Sequence, residues 1–459
     1  MTRRLQGAVL LLLALGITST RAHGQEPEST PPIAFWKTFG DTTLERLVGE
    51  VVKSNHDVVA AEARLRGARA ARTQTALDFA PTVYATASYT RQRFASASFP
   101  GSAGLGATAF PDQTVWDAGL QLSWELDLFG RIRKSTQGRN ALVGAAEEDI
   151  RDLQVVLASE LAVNYFELRG EQDRLRVARR SAENQQHTLD VTVQRLEAGR
   201  GNEFDSERAR TQLNSTLAAI PALEASVSAV EHRIAVLVGH EVTGLGQEVA
   251  GGGRDDHPAL PALPDSIVVP NPDVAVRRRP DVRSAERQLA AGNAFVGAAK
   301  AEYLPRITVG GAAGYVGASL DALSNSHTPR YAIGPVISLP LNLGRVKAGV
   351  DLARAQEAEA DANYRKTALQ AREEIATSVV AYTKARQSLD YLEAAAKASE
   401  RAAALARLRF DEGASDLLQV LDAERTMLAA QDRLAAGRTA ATTGLVAVYR
   451  AVGGASLSW

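Results

Sequence analysis

The chain has 459 residues and no cysteine. That absence excludes disulfides, thiolate metal sites, thiol catalysis and a lipid-carrying cysteine near the start. Charge of one sign is missing too. Fifty-two Lys and Arg stand against 53 Asp and Glu, a formal net charge of −1, so bulk electrostatics give no pointer to nucleic acid. Long apolar runs are scarce. Ala8 to Ile17 are almost wholly apolar, about half of the ~20 residues that a membrane helix needs. Arg3 and Arg4 precede this run and Ala22-His23-Gly24 follows it, so residues 1–24 read as a secretory signal peptide rather than an anchor. No later stretch reads as apolar enough to span a membrane as a helix. An exported chain of that kind can still span one as a β-barrel.

Catalytic signatures are absent as well. There is no His-Glu-x-x-His, Walker loop or nucleophile elbow. The 7 histidines have no ligand spacing. Gly104-Leu105-Gly106 lies in a Ser/Ala/Gly/Pro loop without the helix that a phosphate site uses. No catalytic, cofactor-binding or metal-binding residue is assigned. Acidic pairs such as Glu147-Glu148 and Glu373-Glu374 read as solvated helix faces.

What is present is a rod. Between Gly130 and Gly199 there is no proline, and Ala, Leu, Val, Glu, Gln and Arg dominate. About 65 helical residues at ~1.5 Å each make roughly 100 Å. Leu153, Leu157, Leu161, Tyr165 and Leu168 recur at coiled-coil spacing. The rod occurs twice: 344 − 130 = 214 and 413 − 199 = 214, with Gly344-Arg345-Val346 matching Gly130-Arg131-Ile132. Each rod is followed by a returning helix, and in the first of these Pro221 should introduce a kink.

Upstream of each rod the period changes from helical to two. In the first half, helices run from about Asp41 or Thr42 to Asn55 and from Val58 to Phe79, and Pro81 stops the second. Strands are expected at about 82–94 and 118–129, where Leu120, Leu122, Trp124, Leu126 and Leu128 share one face. In the second half, Asp281-Val282-x-x-Ala285-Glu286 replays Asp57-Val58-x-x-Ala61-Glu62, and Pro305 replays Pro81 (305 − 81 = 224). Strands follow at about 306–316 and 330–343. The domain reading is a first repeat over 25–240 with hairpin 131–238, a linker over 241–275, and a second repeat over 276–459 with hairpin 345–452.

Each strand is near the ~9–11 residues of a transmembrane β-strand, although sandwich strands alternate in the same way. Four strands cannot close a barrel, and an open edge in lipid is not viable. If the strands meet lipid, several copies must pool them; three copies supply twelve. The fold class is mainly α with a small β part.

The chain resembles the outer-membrane efflux duct family, TolC-like, in the branch that includes OprM and NodT. The resemblance rests on Trp36-x-x-Phe39-Gly40-Asp41-x-x-Leu44, Trp124-Glu125-Leu126-Asp127-Leu128-Phe129-Gly130-Arg131, Arg278-Arg279-Pro280-Asp281-Val282, Leu339-Pro340-Leu341, and Gly413 with Leu421-Asp422-Ala423. It implies a homotrimer with a twelve-stranded outer-membrane barrel in lipid and a periplasmic helical tunnel. It also implies a periplasmic adaptor protein and an inner-membrane efflux transporter as partners, and a passive conduit gated at its periplasmic tip. Asp205 and Asp422 match positions where the family carries gating aspartates, and Asp416 lies beside a third. The family's gating tyrosine and arginine are Phe410 and Ser415 here, and another of its aspartates is Gln419. Gly199 and Gly413 lie where an adaptor would touch, and positive φ at a helix end explains them equally well. Asp205 and Asp416 also suit helix N-termini. Trp116 and Trp124 fit an interfacial belt. The alternative reading is an exported coiled-coil scaffold or adhesin-like protein without a pore, or a secreted enzyme on a helical repeat.

Overall fold

The computed structural model describes residues 35–93, 112–241, 260–264, 267, 271–324 and 328–454. The expected signal peptide lies outside them. Beyond a short turn at Phe35–Phe39, the first half runs α1 (Thr42–Ser54), α2 (His56–Leu77), β1 (Thr82–Gln92), β2 (Gln113–Leu126), α3 (Arg131–Glu197) and α4 (Glu203–Val238). The second half runs α5 (Pro272–Arg278), α6 (Pro280–Ala301), β3 (Arg306–Gly317), β4 (Pro329–Ser338), α7 (Leu343–Asp411) and α8 (Leu417–Ala451). The two rods are α3 and α7, of 67 and 69 residues. The ends of α2 and α6 are offset by 224 residues (280 − 56; 301 − 77) and the ends of α3 and α7 coincide at 214 (411 − 197).

Several boundaries differ from the sequence reading. β2 starts five residues earlier than expected and stops at Leu126. Asp127 is taken from the strand because its carboxylate accepts from the amides of Ile132 and Arg133 at 2.9 and 2.8 Å, capping α3. β4 ends at Ser338 rather than 343, ahead of Pro340, which has no amide for a ladder. Helix already begins at Pro272, inside the expected linker, with Asn271 as its cap and proline at its first position. Helix α4 passes through Pro221 and keeps its assignment from end to end.

Two further expectations are corrected. Glu148 is not on a solvated face. It is buried, held by Arg151 at 2.7 Å and by Arg283 of α6 at 2.6 Å. Helix α4, by length and composition, carries a stretch apolar enough to cross a membrane.

A core lies where α3, α4 and α8 meet α1 and the Phe35–Phe39 turn. Phe35 stacks on Tyr449 with ring centroids 5.1 Å apart, and Phe39 meets Phe166 edge-on at 4.9 Å. Leu44, Leu47, Val48 and Val51 of α1 are fully buried there. Asp41 caps α1 and also accepts the Tyr165 hydroxyl at 2.6 Å. Burial and that bond push the Tyr165 hydroxyl up to about 12. Four members of the expected apolar stripe, Leu157, Leu161, Tyr165 and Leu168, face this core.

Pro81 and Pro305 each stand one residue before a strand. The four strands form one antiparallel sheet in the order β1-β2-β3-β4. Cross-strand register puts Val83, Leu122, Gly311 and Ile333 in one row, and Ala85, Leu120, Ala313 and Tyr331 in the next. Followed along the strands, this face is apolar except at one end, where Arg91 stands opposite Thr114, and Tyr331 and Ile333 are 87 % and 74 % exposed. The opposite face carries Thr86, Ser88, Gln121, Ser123 and Glu125, with Arg330 paired to Asp117 at 2.6 Å. Tyr89 and Trp116 meet at one end of the apolar face, at 4.8 Å, and Trp124 stands at the other. Eight residues at ~3.3 Å separate Trp116 from Trp124, roughly the 25 Å height of an outer-membrane barrel's apolar band.

Candidate functional site: the paired helix turns

At the far end of the rods, two turns reverse the chain with matching backbone geometry. Gly199 has φ 67° and Gly413 has φ 74°. The amide of Arg200 reaches back to the Arg195 carbonyl at 2.8 Å, and that of Ala414 to the Arg409 carbonyl at 2.7 Å. These are helix ends closed by a left-handed residue, which a side chain makes costly. A β-carbon at either glycine would meet nothing within 4 Å, so conformation rather than space selects glycine.

The next helices start on capping residues. Asn202 Oδ1 accepts from the Asp205 amide at 2.8 Å, and Asp416 Oδ1 accepts from the Gln419 amide at 3.2 Å. Asp416 is therefore an N-cap, while Asp205 lies in the first turn of α4 beside the positive end of the helix dipole. Asp422 lies six residues beyond Asp416 (422 − 416), within α8, and pairs with Arg425 at 2.8 Å, both exposed. Among the described residues, no ion pair or hydrogen bond joins Asp205 to Asp416 or Asp422.

What the fold brings together is the apolar surface beside these carboxylates. Ala182 and Leu189 of α3, Ala209 and Leu213 of α4, and Leu417, Val420 and Leu421 of α8 form one buried cluster, with Phe410 packed against it. The Arg195 guanidinium lies 4.1 Å from the centroid of the Phe410 ring and 3.9 Å from the Asp411 carboxylate, which ties the end of α3 to the end of α7. Phe410 thus presents a ring with no hydroxyl, and a cation covers it.

Above this cluster sits a polar group that the sequence reading missed. Glu424 is 1 % exposed. Its Oε1 accepts from Arg407 at 2.8 Å and from Thr188 at 3.2 Å, and its Oε2 has no hydrogen-bond partner among the described residues. A buried carboxylate has to be paired, and this one joins α3, α7 and α8. The signal was in the spacing: Leu417, Val420, Leu421, Glu424 and Met427 form a helical stripe in which only Glu424 is polar. No group of His, Cys, Asp or Glu suited to a metal occurs among the described residues.

An apolar-faced sheet set at the end of helical hairpins roughly 100 Å long, with two chain reversals at the distal tip, defines a membrane-attached duct component. The sequence pattern of the outer membrane efflux protein family matches residues 47–240 and 271–454, and the chain belongs to that family. It is 30 % identical over 418 residues to the solvent efflux pump outer membrane protein SrpC of Pseudomonas putida, covering 91 % of this chain and 86 % of that one. It is 29 % identical over 427 residues to the pyoverdine export outer membrane protein OpmQ of Pseudomonas aeruginosa, covering 92 % and 87 %. The solved outer-membrane channel OprN superposes with a TM-score of 0.83 at 37 % identity, over 92 % of each chain. The chain is thus an outer-membrane efflux channel whose long helices extend into the periplasm. Its family is one of transport ducts rather than enzymes, and the poreless scaffold reading falls away.

Proposed function

We propose that three copies of this chain pool their strands into a twelve-stranded barrel in outer-membrane lipid and their rods into one water-filled periplasmic tunnel. The tunnel is a passive exit duct. It is joined at its tip by a periplasmic adaptor and driven by an inner-membrane transporter. The observation that carries this reading is the sheet: one face is apolar except at its Arg91–Thr114 end, and β1 and β4 are open edges in a single chain. Lipid accepts the face but not the edges, so neighbouring copies must pair them.

The tip is the gate. Asp205, Asp416 and Asp422 place carboxylates beside the turns, and a ring of them at a constriction favours cations. Gly199 and Gly413 form the turns that an adaptor contacts. Residues 1–24 direct export, and residues 25–240 and 276–459 are the two repeats around the linker.

The test is made in a Gram-negative host whose intact outer membrane excludes a large hydrophilic antibiotic. Cells bearing the Asp205→Ala/Asp416→Ala/Asp422→Ala chain should become sensitive, while cells bearing the wild-type chain stay resistant. Equal resistance at equal outer-membrane levels would remove these carboxylates from the gate.

A further inference from the structure

Among the described residues of the sheet, the charged side chains on the polar face are Asp117, Glu125, Arg306 and Arg330, and each is in an ion pair. At the end nearer the rods, Glu125 holds Arg131 of α3 at 2.8 Å and Arg306 at 3.7 Å. Toward the other end, Arg330 holds Asp117. The charges of the face itself sum to zero.

The second pair has a long reach. Arg330 belongs to β4 and Asp117 to β2, and β3 runs between them. In the register Arg330 faces Gly314, and Gly314 faces Gly119. A β-carbon at Gly119 would stand 2.5 Å from the Ala313 carbonyl oxygen, and one at Gly314 would stand 2.6 Å from Gly119 Cα. Backbone packing therefore keeps both positions glycine, and neither raises a side chain between the guanidinium and the carboxylate. Nη2 of Arg330 lies 2.6 and 2.5 Å from the two carboxylate oxygens of Asp117. Both side chains stay partly open to water, at 36 % and 26 % exposed. Over the next two rows, β3 and β4 present only Gly310, Ala312, Ala332 and Gly334 to this side. A passage bounded by the polar face is therefore roomy there, and its charge at this level depends on one pair.

We propose that the Arg330–Asp117 pair sets the charge preference of the passage through the sheet. Joined, the two groups leave it indifferent to the charge of the cargo, so cations, anions and uncharged molecules cross alike and discrimination by charge is left to the tip. The proposal rests on the multi-copy reading above and adds a determinant of specificity to it. Three copies would set three such pairs at one level. Removing one side of the pair would leave like charges facing the same water-filled space, and a ring of like charges selects by sign.

The chain has no cysteine, so a single introduced thiol can report the local potential. Ser88 stands opposite Asp117 in the register, and β-carbons so placed are about 5 Å apart. Full-length Ser88→Cys protein is purified in detergent, checked for assembly by light scattering, and modified in about 0.1 M salt with a cationic and an anionic methanethiosulfonate. The ratio of the two rates, taken relative to a small free thiol, cancels the ionisation of the thiol itself. With the pair intact, the ratio should stay within about 2-fold of the free thiol. Arg330→Met should move it about 10-fold toward the cationic reagent, and Asp117→Asn about 10-fold toward the anionic one. Replacing both residues together should return it to the starting value. Asp117→Asn is nearly isosteric, so the test stands even where Arg330→Met fails to assemble. One ratio shared by all these proteins, or shifts of the opposite sign, overturns the proposal and leaves the multi-copy reading standing. Ala87→Cys, the neighbouring position on the apolar face, should react with neither reagent. Reaction there as fast as at Ser88→Cys overturns the multi-copy reading and the proposal with it.

Discussion

Replacing Arg407 with Met should loosen the periplasmic end of the rods more than any exposed charge change there. The substitution keeps the length of the side chain and removes the one cation paired with Glu424 among the described residues; that carboxylate is 1 % exposed. Breaking one side of a fully buried pair costs about 3–5 kcal/mol. Arg407 is itself 36 % exposed, and Thr188 retains one bond to the carboxylate. Water already screens part of the interaction, so the expected cost is about 2–3 kcal/mol. Unfolding of a large detergent-bound assembly is not two-state, so the readout is local. Native-state hydrogen exchange of peptides from 407–430 should accelerate about 30- to 150-fold, at 1.4 kcal/mol per tenfold. The Glu424→Leu/Arg407→Met double replacement should return to within about 1 kcal/mol of wild type, because an apolar pair needs no partner. Wild-type exchange in Arg407→Met, or a double replacement looser than the single one, would refute the reasoning.

Other consequences follow from the same geometry. Gly170→Ala should destabilise by about 1–3 kcal/mol despite its better helix propensity, because its β-carbon would strike Thr439, whose Cγ2 would lie at 2.9 Å; Thr439→Ala should rescue it in a thermal melt. Gly413→Ala forces a side chain into positive φ in open space, so a cost of about 1–2 kcal/mol should appear as faster exchange in the turn alone. Burial, with the neighbouring Asp281 carboxylate, pushes the Asp152 carboxyl up to about 6. Its folded value lies above its unfolded one, so its stabilisation is complete at low pH and lost as pH rises through about 6. Asp152→Asn should therefore melt like wild type near about pH 4 and be more stable by about 1–2 kcal/mol at about pH 8, after allowance for partial exposure. Leu120→Arg, at the middle of the apolar face, should cost about 2–4 kcal/mol and reduce the amount in the outer membrane, whereas Gln121→Arg on the polar face should not.

The rods were legible because they obey one rule for about 65 residues. With no proline between Gly130 and Gly199, nothing competes with helix, and a repeat of the same length doubles the signal. The apolar sheet face was legible for a similar reason, since period two survives wherever one side must be apolar. Boundaries failed where a side chain chose between two jobs: Asp127 alternates correctly for a strand but caps α3 instead. Glu148 failed because sequence alone does not reveal Arg283, which lies 135 residues away and supplies the charge that lets the carboxylate be buried. The glycine turns were legible as backbone requirements. Asp205, Asp416 and Asp422 were found by resemblance, and within one chain their capping, helix-end and ion-pair roles account for them. The proposed role at a pore would depend on neighbouring copies. Arg195 went unseen because a cation in the last turn of a helix is ordinary until Phe410 arrives beneath it.

Conductance in a planar bilayer tests the central claim most directly. Detergent-purified assembly should give small, cation-selective pores, and the Asp205→Ala/Asp416→Ala/Asp422→Ala assembly should give wider ones. Pores unchanged by the replacements would keep the duct and move the gate elsewhere. A correctly assembled protein that inserts and conducts nothing, in wild-type and substituted form alike, would contradict the account.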